Sequence, residues 1–255
     1  MTKESAPYRT LCTEYYELER PKAPENAIQF YLQYAEEAKG SILEPMCGSG
    51  RFLIPLLERG HSVTGFDYSS FMLDVCRKKC EELGLKCILQ EATFEAFSLS
   101  NTYNLIFIPS GSFCHLITPQ QITHALNLIS SRLNSGGKFV FEVETLEAVR
   151  QPQGIWKGGW VNKPDGSKIV RHILSQFDQT SRIETALFRY ELWEENTISR
   201  TEVESFHLKL YEPFEIEQLL EQHGLKIIGT WQAEPYSKTK VINTAALIVY
   251  DCLKV

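Results

Sequence analysis

The composition of this 255-residue chain is that of a globular protein with an acidic balance of charge. Hydrophobic residues make up 43% and charged residues 23% of it, so the chain can bury a large core. The net charge of −6 argues against a nucleic acid partner, because phosphate binding normally needs a basic patch. The polar N-terminus predicts no secretory signal, and no apolar run approaches the ~20 residues that span a bilayer. We therefore expect a cytoplasmic protein without a nucleic acid or membrane partner.

The seven cysteines are scattered along the chain and include no Cys-x-x-Cys pair. This pattern is typical of reduced thiols in a cytosolic protein. It predicts neither a disulfide framework nor a bound metal.

The first part of the chain has the order strand, glycine turn, helix. Apolar residues at helical spacing predict a helix over residues 24–38. An apolar run then ends at Glu44, and Gly48-Ser49-Gly50 leads into an apolar helix that starts at Phe52. This order forms the nucleotide cradle of a doubly wound α/β sheet. Because glycine has no Cβ, the backbone can approach a ligand closely, so we expect a small ligand over Gly48 and Gly50.

The residues around the turn indicate which ligand it binds. A dinucleotide site needs a third glycine beneath the pyrophosphate, and Leu53 occupies that position. Glu44 would repel a diphosphate but suits a ligand with an ammonium group, such as S-adenosylmethionine. Asp67 ends the next apolar run and can accept hydrogen bonds from both ribose hydroxyls. Two acids at neighbouring strand ends therefore predict S-adenosylmethionine.

Helices and strands continue to alternate up to about residue 150. A helix is predicted after Asp67, and another begins at Pro119 behind a Thr118 capping box. Strands are predicted at residues 86–89, 103–108 and 138–143. Strands that alternate with helices of ten to fifteen residues predict a mostly parallel sheet covered on both faces.

Between residues 155 and 210 the apolar period changes to two, which predicts antiparallel strands in an added, aromatic-rich sheet. Three runs have this period: residues 169–177, 183–192 and 198–208. A sheet inserted here would lie near the carboxyl ends of the core strands, where α/β proteins bind ligands. We interpret it as a substrate wall; the alternative is a homodimer surface or plain packing. A helix over 214–223 and strands at 226–231 and 244–250 complete the chain.

Three ordered motifs resemble those of class I S-adenosylmethionine-dependent methyltransferases. They lie at residues 44–51 (Glu-x-x-Cys-Gly-x-Gly-Arg), 60–73 and 133–141. Residues 112–116 and 211–225 resemble the small-molecule branch that includes glycine-type and amino-sugar N-methyltransferases. The resemblance covers nearly the whole chain. It implies a Rossmann-like, doubly wound, seven-stranded and mostly parallel sheet with an inserted antiparallel sheet.

The resemblance also implies an enzyme that transfers a methyl group from S-adenosylmethionine to an N or O nucleophile of a small molecule, leaving S-adenosylhomocysteine. A protein or RNA methyltransferase, and a non-catalytic S-adenosylmethionine-binding protein, remain alternatives. The domain organisation that we expect has four parts: a cap segment and helix (1–40), the cofactor-binding core (41–150), the inserted sheet (151–210), and a helix with the last two core strands (211–255).

The cofactor contacts implied by the resemblance lie in four places. Glu44 would hold the methionine end and Asp67 the ribose, while Tyr68 and Met72 would flank the adenine. Where relatives carry Ala-Asp-Met this chain has Ala92-Thr93-Phe94, so Thr93 could bind the adenine amine and the Phe94 amide could reach the ring. The other expected contacts are Cys47, Gly48, Gly50, Arg51 and Pro109.

Two residues are candidates for catalysis. His115 follows the strand at 103–108, in the loop that should face the methyl group, and could act as a base; the alternative is a structural histidine. Tyr8, Tyr15 and Tyr16 lie near the N-terminus, where relatives place a cap segment over the cofactor. Tyr16 is the favoured one, because Tyr16-Glu17-Leu18 resembles the Tyr-Asp-Leu of the family. Its hydroxyl could contact the methionine carboxylate or guide the nucleophile. Arg51 could pair with that carboxylate or face solvent.

Overall fold

Helices and strands alternate through the first half of the computed structural model, which describes residues 8–236, 238 and 244–255. This half contains α1 (Thr10–Glu19), α2 (Glu25–Ala38), β1 (Ile42–Pro45), α3 (Leu53–Glu58), β2 (Val63–Asp67), α4 (Ser70–Glu82), β3 (Ile88–Glu91), β4 (Tyr103–Ile108), α5 (Pro119–Arg132) and β5 (Leu133–Glu144). The second half contains β6 (Lys157–Asn162), β7 (Lys168–Asp178), β8 (Ile183–Glu194), β9 (Thr197–Lys209), α6 (Glu217–Gln222), β10 (Leu225–Gln232) and β11 (Leu247–Lys254).

Seven strands form a central sheet in the order β10-β11-β5-β4-β1-β2-β3. Strands β1 to β5 pair in parallel, whereas β11 runs antiparallel between β5 and β10. The chain starts at β1, moves outward to β3 and then crosses to β4 on the other side of β1. This reversal is the topological switch point, where ligands bind outside the carboxyl ends of the strands. The predicted doubly wound sheet is therefore confirmed.

The core holds a buried acid on β5 as well as apolar side chains. Glu142 is fully buried and accepts hydrogen bonds from Tyr31 (2.6 Å) and Tyr236 (3.2 Å). Burial raises the pKa of Glu142 to about 7, and the tyrosine hydrogen bonds oppose that rise. The Tyr31 ring packs against Phe52 and Phe107, which ties α2 to the middle of the sheet.

The remaining four strands form a separate antiparallel sheet in the order β6-β7-β8-β9. Its inner face packs on α1: Leu11, Cys12 and Tyr15 share a buried cluster with residues of β7, β8 and β9. Helix α1 therefore lies between the inserted sheet and the rest of the molecule. The inserted antiparallel sheet is confirmed, and β6 adds a fourth strand that the apolar period did not indicate.

Some predicted elements have different limits in the structure. The helix expected over 214–223 is shorter, because Phe214 has a left-handed φ of +68° that cannot continue a helix. Helix α1 was not predicted at all, since Arg9 at its N-cap provides no side-chain cap. In the ranges that the structure describes, no helix combines the length and the apolar character that crossing a bilayer requires.

A glycine of β2 allows the helix after the turn to approach the sheet. A Cβ built on Gly65 would lie 2.6 Å from Leu53 Cδ1 and 2.7 Å from Cys47 Sγ. In a dinucleotide site the third glycine lets the helix pack closely on the sheet, but Leu53 occupies that position here. In this protein the glycine at the contact between α3 and the sheet is Gly65 of β2.

We expect Gly65→Ala to lower the free energy of unfolding by about 1–3 kcal/mol, because the added methyl overpacks the contact with Leu53. Urea denaturation measures the change. The matched control is Gly159→Ala on β6, where a Cβ would lie 3.5 Å from Tyr15 Oη, an ordinary contact. We expect that control to stay within about 0.5 kcal/mol of the wild type. Equal stability of the two variants would contradict the close packing.

Candidate active site

A cleft with about 600 Å³ of empty space, including its open mouth, lies outside the carboxyl ends of β1, β2 and β4. Most of the predicted site residues come together on its wall: Tyr16, Glu44, Cys47, Gly48, Arg51, Asp67, Tyr68, Met72, Pro109 and His115. The topology explains this meeting, because parallel strands carry their following loops to the same edge of the sheet.

The glycine turn after β1 forms the floor of the cleft. The Cys47 amide donates to the Phe66 carbonyl of β2 (3.1 Å), and the Gly50 amide donates back to Cys47 (3.0 Å). Gly48 and Gly50 have φ of +52° and +81°, which glycine adopts without strain. Gly50 faces α4 rather than the cleft, since a Cβ there would lie 2.6 Å from Cys76 Sγ. Gly50 therefore shapes the turn without lining the cleft.

Asp67 joins the ends of β1 and β2. One carboxylate oxygen accepts from the Gly48 amide (2.9 Å) and the other from the Ser69 amide (2.8 Å). Burial raises the pKa of Asp67 to about 6, although these two amides act in the opposite direction. Each oxygen has a second lone pair, so the carboxylate can still accept two hydroxyl hydrogen bonds from a ligand.

Glu44 is a buried acid of the cleft with an incomplete set of hydrogen bonds. It is 2% exposed, and its Oε2 atom has no hydrogen-bond partner among the described residues. Burial raises the pKa of Glu44 well above its ordinary value, and the charge of Asp67 adds to that rise. A cationic group in the cleft would supply the missing partner and restore the ionised form. The ammonium group of S-adenosylmethionine therefore fits this position, as a diphosphate would not.

Tyr16 and Arg51 hold each other at the edge of the cleft. The Arg51 guanidinium donates to the Tyr16 hydroxyl (2.6 Å) and to the Lys22 carbonyl (3.0 Å). The guanidinium also lies over the Tyr16 ring, 5.3 Å from its centre. Arg51 thus anchors α1 to the glycine turn, and both side chains still line the cleft.

His115 lies at the end of the 3-10 helix Ser112–His115 that follows β4. Burial lowers the pKa of His115 to about 4, and a hydrogen bond with the His207 backbone of β9 partly offsets this. The imidazole is therefore neutral at pH 7. Its ring lies 6.3 Å from the Phe206 ring of β9, so the inserted sheet borders this side of the cleft.

Thr93 and Phe94, predicted to contact the adenine, are not on the cleft wall. Thr93 is exposed, and the Phe94 side chain is buried against the Phe66 ring, 5.2 Å away. The apolar packing behind β2 draws the Phe94 side chain inward. The position of the Phe94 side chain does not test the contact predicted for its backbone amide, so an adenine contact from either residue stays a prediction.

Several residues that the sequence reasoning did not select also line the cleft: Tyr8, Met46, Ser49, Phe52, Ser110 and Ser112. Ser112 belongs to the motif at residues 112–116, which is a sequence signal for its position in the cleft. Tyr8 is one of the three N-terminal tyrosines considered for the cap segment, and the structure places it on the cleft wall beside the favoured Tyr16. Among the described residues, no three histidine, cysteine or acidic side chains come together as a metal site.

Residues 42–137 match the protein family described as methyltransferase domain. Among curated proteins, the chain is similar to the putative methyltransferase YqeM of Bacillus subtilis (strain 168). The two are 26% identical over 138 residues, which is 54% of this chain and 56% of that protein. The chain thus spans about half the length of the curated relatives it matches.

Solved structures share the fold over almost the whole chain. An S-adenosylmethionine-dependent methyltransferase from Clostridium acetobutylicum ATCC 824 has a TM-score of 0.77 at 19% identity, covering 94% of this chain and 96% of that one. The sugar N-methyltransferase KedS8 from Streptoalloteichus sp ATCC 53650 has a TM-score of 0.76 at 16% identity, covering 98% and 95%. Likeness at these identities establishes the fold.

We expect Asp67→Asn to weaken S-adenosylmethionine binding at pH 8 by roughly 1–3 kcal/mol, because a charge-assisted acceptor is lost. In the wild type, affinity should also fall as the pH drops through about 6, where Asp67 takes up a proton. The variant should lack the contribution of Asp67 to that step, and any pH dependence that remains reports Glu44, whose pKa burial also raises. Calorimetric titration from pH 5 to 8 measures both effects.

The control for this prediction is Asp74→Asn on α4, whose side chain is 71% exposed and paired with Arg77. It should reproduce the wild-type affinity and pH profile. An unchanged affinity in Asp67→Asn would overturn the ribose assignment.

Proposed function

We propose that this protein, whose residues 42–137 match the methyltransferase domain family, is an S-adenosylmethionine-dependent enzyme that methylates an N or O nucleophile of a small molecule. The observation that carries the proposal is the pair of buried acids around the glycine turn. Glu44 has an oxygen without a partner among the described residues, and Asp67 is fixed by two amides beside it. A cationic ligand with a ribose suits this pair.

Different residues would hold different parts of the cofactor. Glu44 would take the ammonium group and Asp67 the ribose hydroxyls, while Tyr68 and Met72 provide flanking surface in the same cleft. Cys47, Gly48 and Arg51 complete the wall on the side of the turn, and Pro109 on the side of β4. When bound, S-adenosylmethionine supplies an activated methyl group on its sulfonium.

The protein must then orient the nucleophile and exclude water. Holding reactants in line can supply ~7 to 11 kcal/mol of the barrier. His115 is neutral at pH 7 and can accept a hydrogen bond from an incoming hydroxyl or amine. A pKa of about 4 makes it a weak base, so its role is to orient the nucleophile while the proton passes on to solvent.

A small acceptor is supported by how the cleft is enclosed. Tyr8 and Tyr16 from the N-terminal segment line it, and Phe206 of the inserted sheet contacts both Tyr8 and His115. These rings give this side of the cleft an apolar, aromatic border, which suits a small molecule with some apolar surface. One structural neighbour, KedS8, is a sugar N-methyltransferase, which makes amino sugars a reasonable first group of acceptors to test.

The first test is calorimetric titration with S-adenosylmethionine and, separately, with NAD and NADP. Micromolar binding of S-adenosylmethionine alone supports the proposal. Radiolabelled methyl transfer to pools of amino sugars, amino acids, phenols, peptides and RNA then identifies the acceptor class. Binding without transfer to any pool would favour a non-catalytic binding protein, and labelled peptide or RNA would replace the small-molecule proposal.

We expect His115→Ala to lower turnover about 100-fold and to leave S-adenosylmethionine affinity within twofold, because the histidine orients the nucleophile. Single-turnover rates and calorimetry on the same preparation separate the two quantities. His124→Ala on the exposed face of α5 serves as the control and should match the wild type. A parallel loss of affinity and rate in His115→Ala would indicate a structural histidine instead.

A further inference from the structure

The N-terminus of α1 is capped by a strand that lies almost two hundred residues away in sequence. Glu204 of β9 accepts from the backbone amides of Tyr8 (2.7 Å) and Arg9 (2.9 Å). Its neighbour on the same face, Glu202, accepts from the Leu11 amide (2.9 Å). These carboxylates satisfy amides that a helix start leaves without partners, and a negative charge there is favourable.

Glu204 is buried, so this contact is more than a surface ion pair. Its side chain is 1% exposed, and Arg9 Nε lies 3.4 Å from the same carboxylate. Burial raises the pKa of Glu204, while the two amides and the Arg9 charge act in the opposite direction. A buried carboxylate keeps its place only when such donors surround it, which fixes the backbone at Tyr8 and Arg9.

The residue that Glu204 fixes lies on the cleft wall. The Tyr8 ring is edge-on to Phe206 of β9, with centres 4.9 Å apart, and to Tyr16 and His115, each at 6.4 Å. The Tyr8 carbonyl accepts from Ser69 Oγ (2.9 Å) at the start of α4. Tyr8 therefore lies where the cofactor-binding core, the 3-10 helix that ends at His115 and the inserted sheet meet.

We propose that Glu204 is a positioning residue of the cofactor site: by holding the backbone of Tyr8, it keeps the N-terminal segment over the cleft. The inserted sheet thereby contributes to cofactor binding without lining the glycine turn. The inference rests on the proposed function for the identity of the ligand, but the contact itself does not depend on methyl transfer. Because Glu204 acts through Tyr8, its effect on ligand affinity should depend on the presence of the Tyr8 side chain.

The test compares Glu204→Gln with Glu191→Gln. Glu191 is equally buried in the same sheet, but it bonds Trp193 and Arg189 on the face away from α1. We expect Glu204→Gln to weaken binding of S-adenosylhomocysteine about tenfold, as loss of a charged hydrogen-bond acceptor predicts, and Glu191→Gln to stay within about twofold. Calorimetry measures the affinities, and thermal unfolding measures stability.

A double-mutant cycle shows whether Glu204 acts through Tyr8. Tyr8→Ala should weaken S-adenosylhomocysteine binding, and adding Glu204→Gln to it should change the affinity by less than about twofold. An additive effect of the two changes would overturn the proposal. So would an equal loss of affinity in Glu191→Gln, because it would mark a general effect on the sheet.

Hydrogen exchange separates failure of this inference from failure of the proposed function. Without any ligand, Glu204→Gln should speed amide exchange in residues 8–19, and Glu191→Gln should not. If wild-type protein binds no S-adenosylhomocysteine but the exchange result holds, the proposed cofactor is wrong while the anchoring contact stands. If exchange in residues 8–19 is unchanged by Glu204→Gln, the anchoring role is refuted.

Discussion

The hydrogen bond from the Gly48 amide to Asp67 is the contact on which the rest of the site depends. It ties the turn after β1 to the end of β2, so that the turn, the acid and α4 keep fixed relative positions. Gly65 of β2 also supports the turn, because the absence of a side chain there lets Leu53 and Cys47 pack directly on β2. The cleft is therefore shaped by backbone contacts, and its side chains are arranged around them.

Buried acids recur in this protein, and their partners distinguish their roles. Glu142 and Glu204 are buried, and each accepts hydrogen bonds from several groups of the protein, which offsets the cost of burial. Glu44 is buried as deeply but keeps one oxygen unpartnered among the described residues. Such an atom is costly in a folded chain unless a ligand pairs with it. Glu184 and Asp251 also keep one oxygen unpartnered among the described residues, but neither lines the cleft, so it is the position of Glu44 on the cleft wall that assigns it to the cofactor.

The N-terminal helix joins the two sheets at the site. Arg51 holds it from the glycine turn through Tyr16, and Arg171 of β7 makes two bonds of 2.9 Å with Glu19 near its end. Glu204 holds its beginning from β9. A helix with no side-chain cap of its own thus becomes ordered through contacts with distant parts of the chain. Its position over the cleft is a property of the tertiary structure.

The sequence by itself determined the class of fold, the order of the core elements and the two acids around the glycine turn. Local rules suffice there: strand ends, turn glycines and apolar periods are all read within about ten residues. The match of residues 42–137 to the family described as methyltransferase domain agrees with the predicted methyltransferase class. Only the tertiary structure decided that α1 is a helix, that Tyr8 lines the cleft together with the favoured Tyr16, and that Phe94 turns into the core. These features depend on Glu204, Phe206 and Phe66, which are distant in sequence or hidden by packing, and no local pattern encodes such contacts.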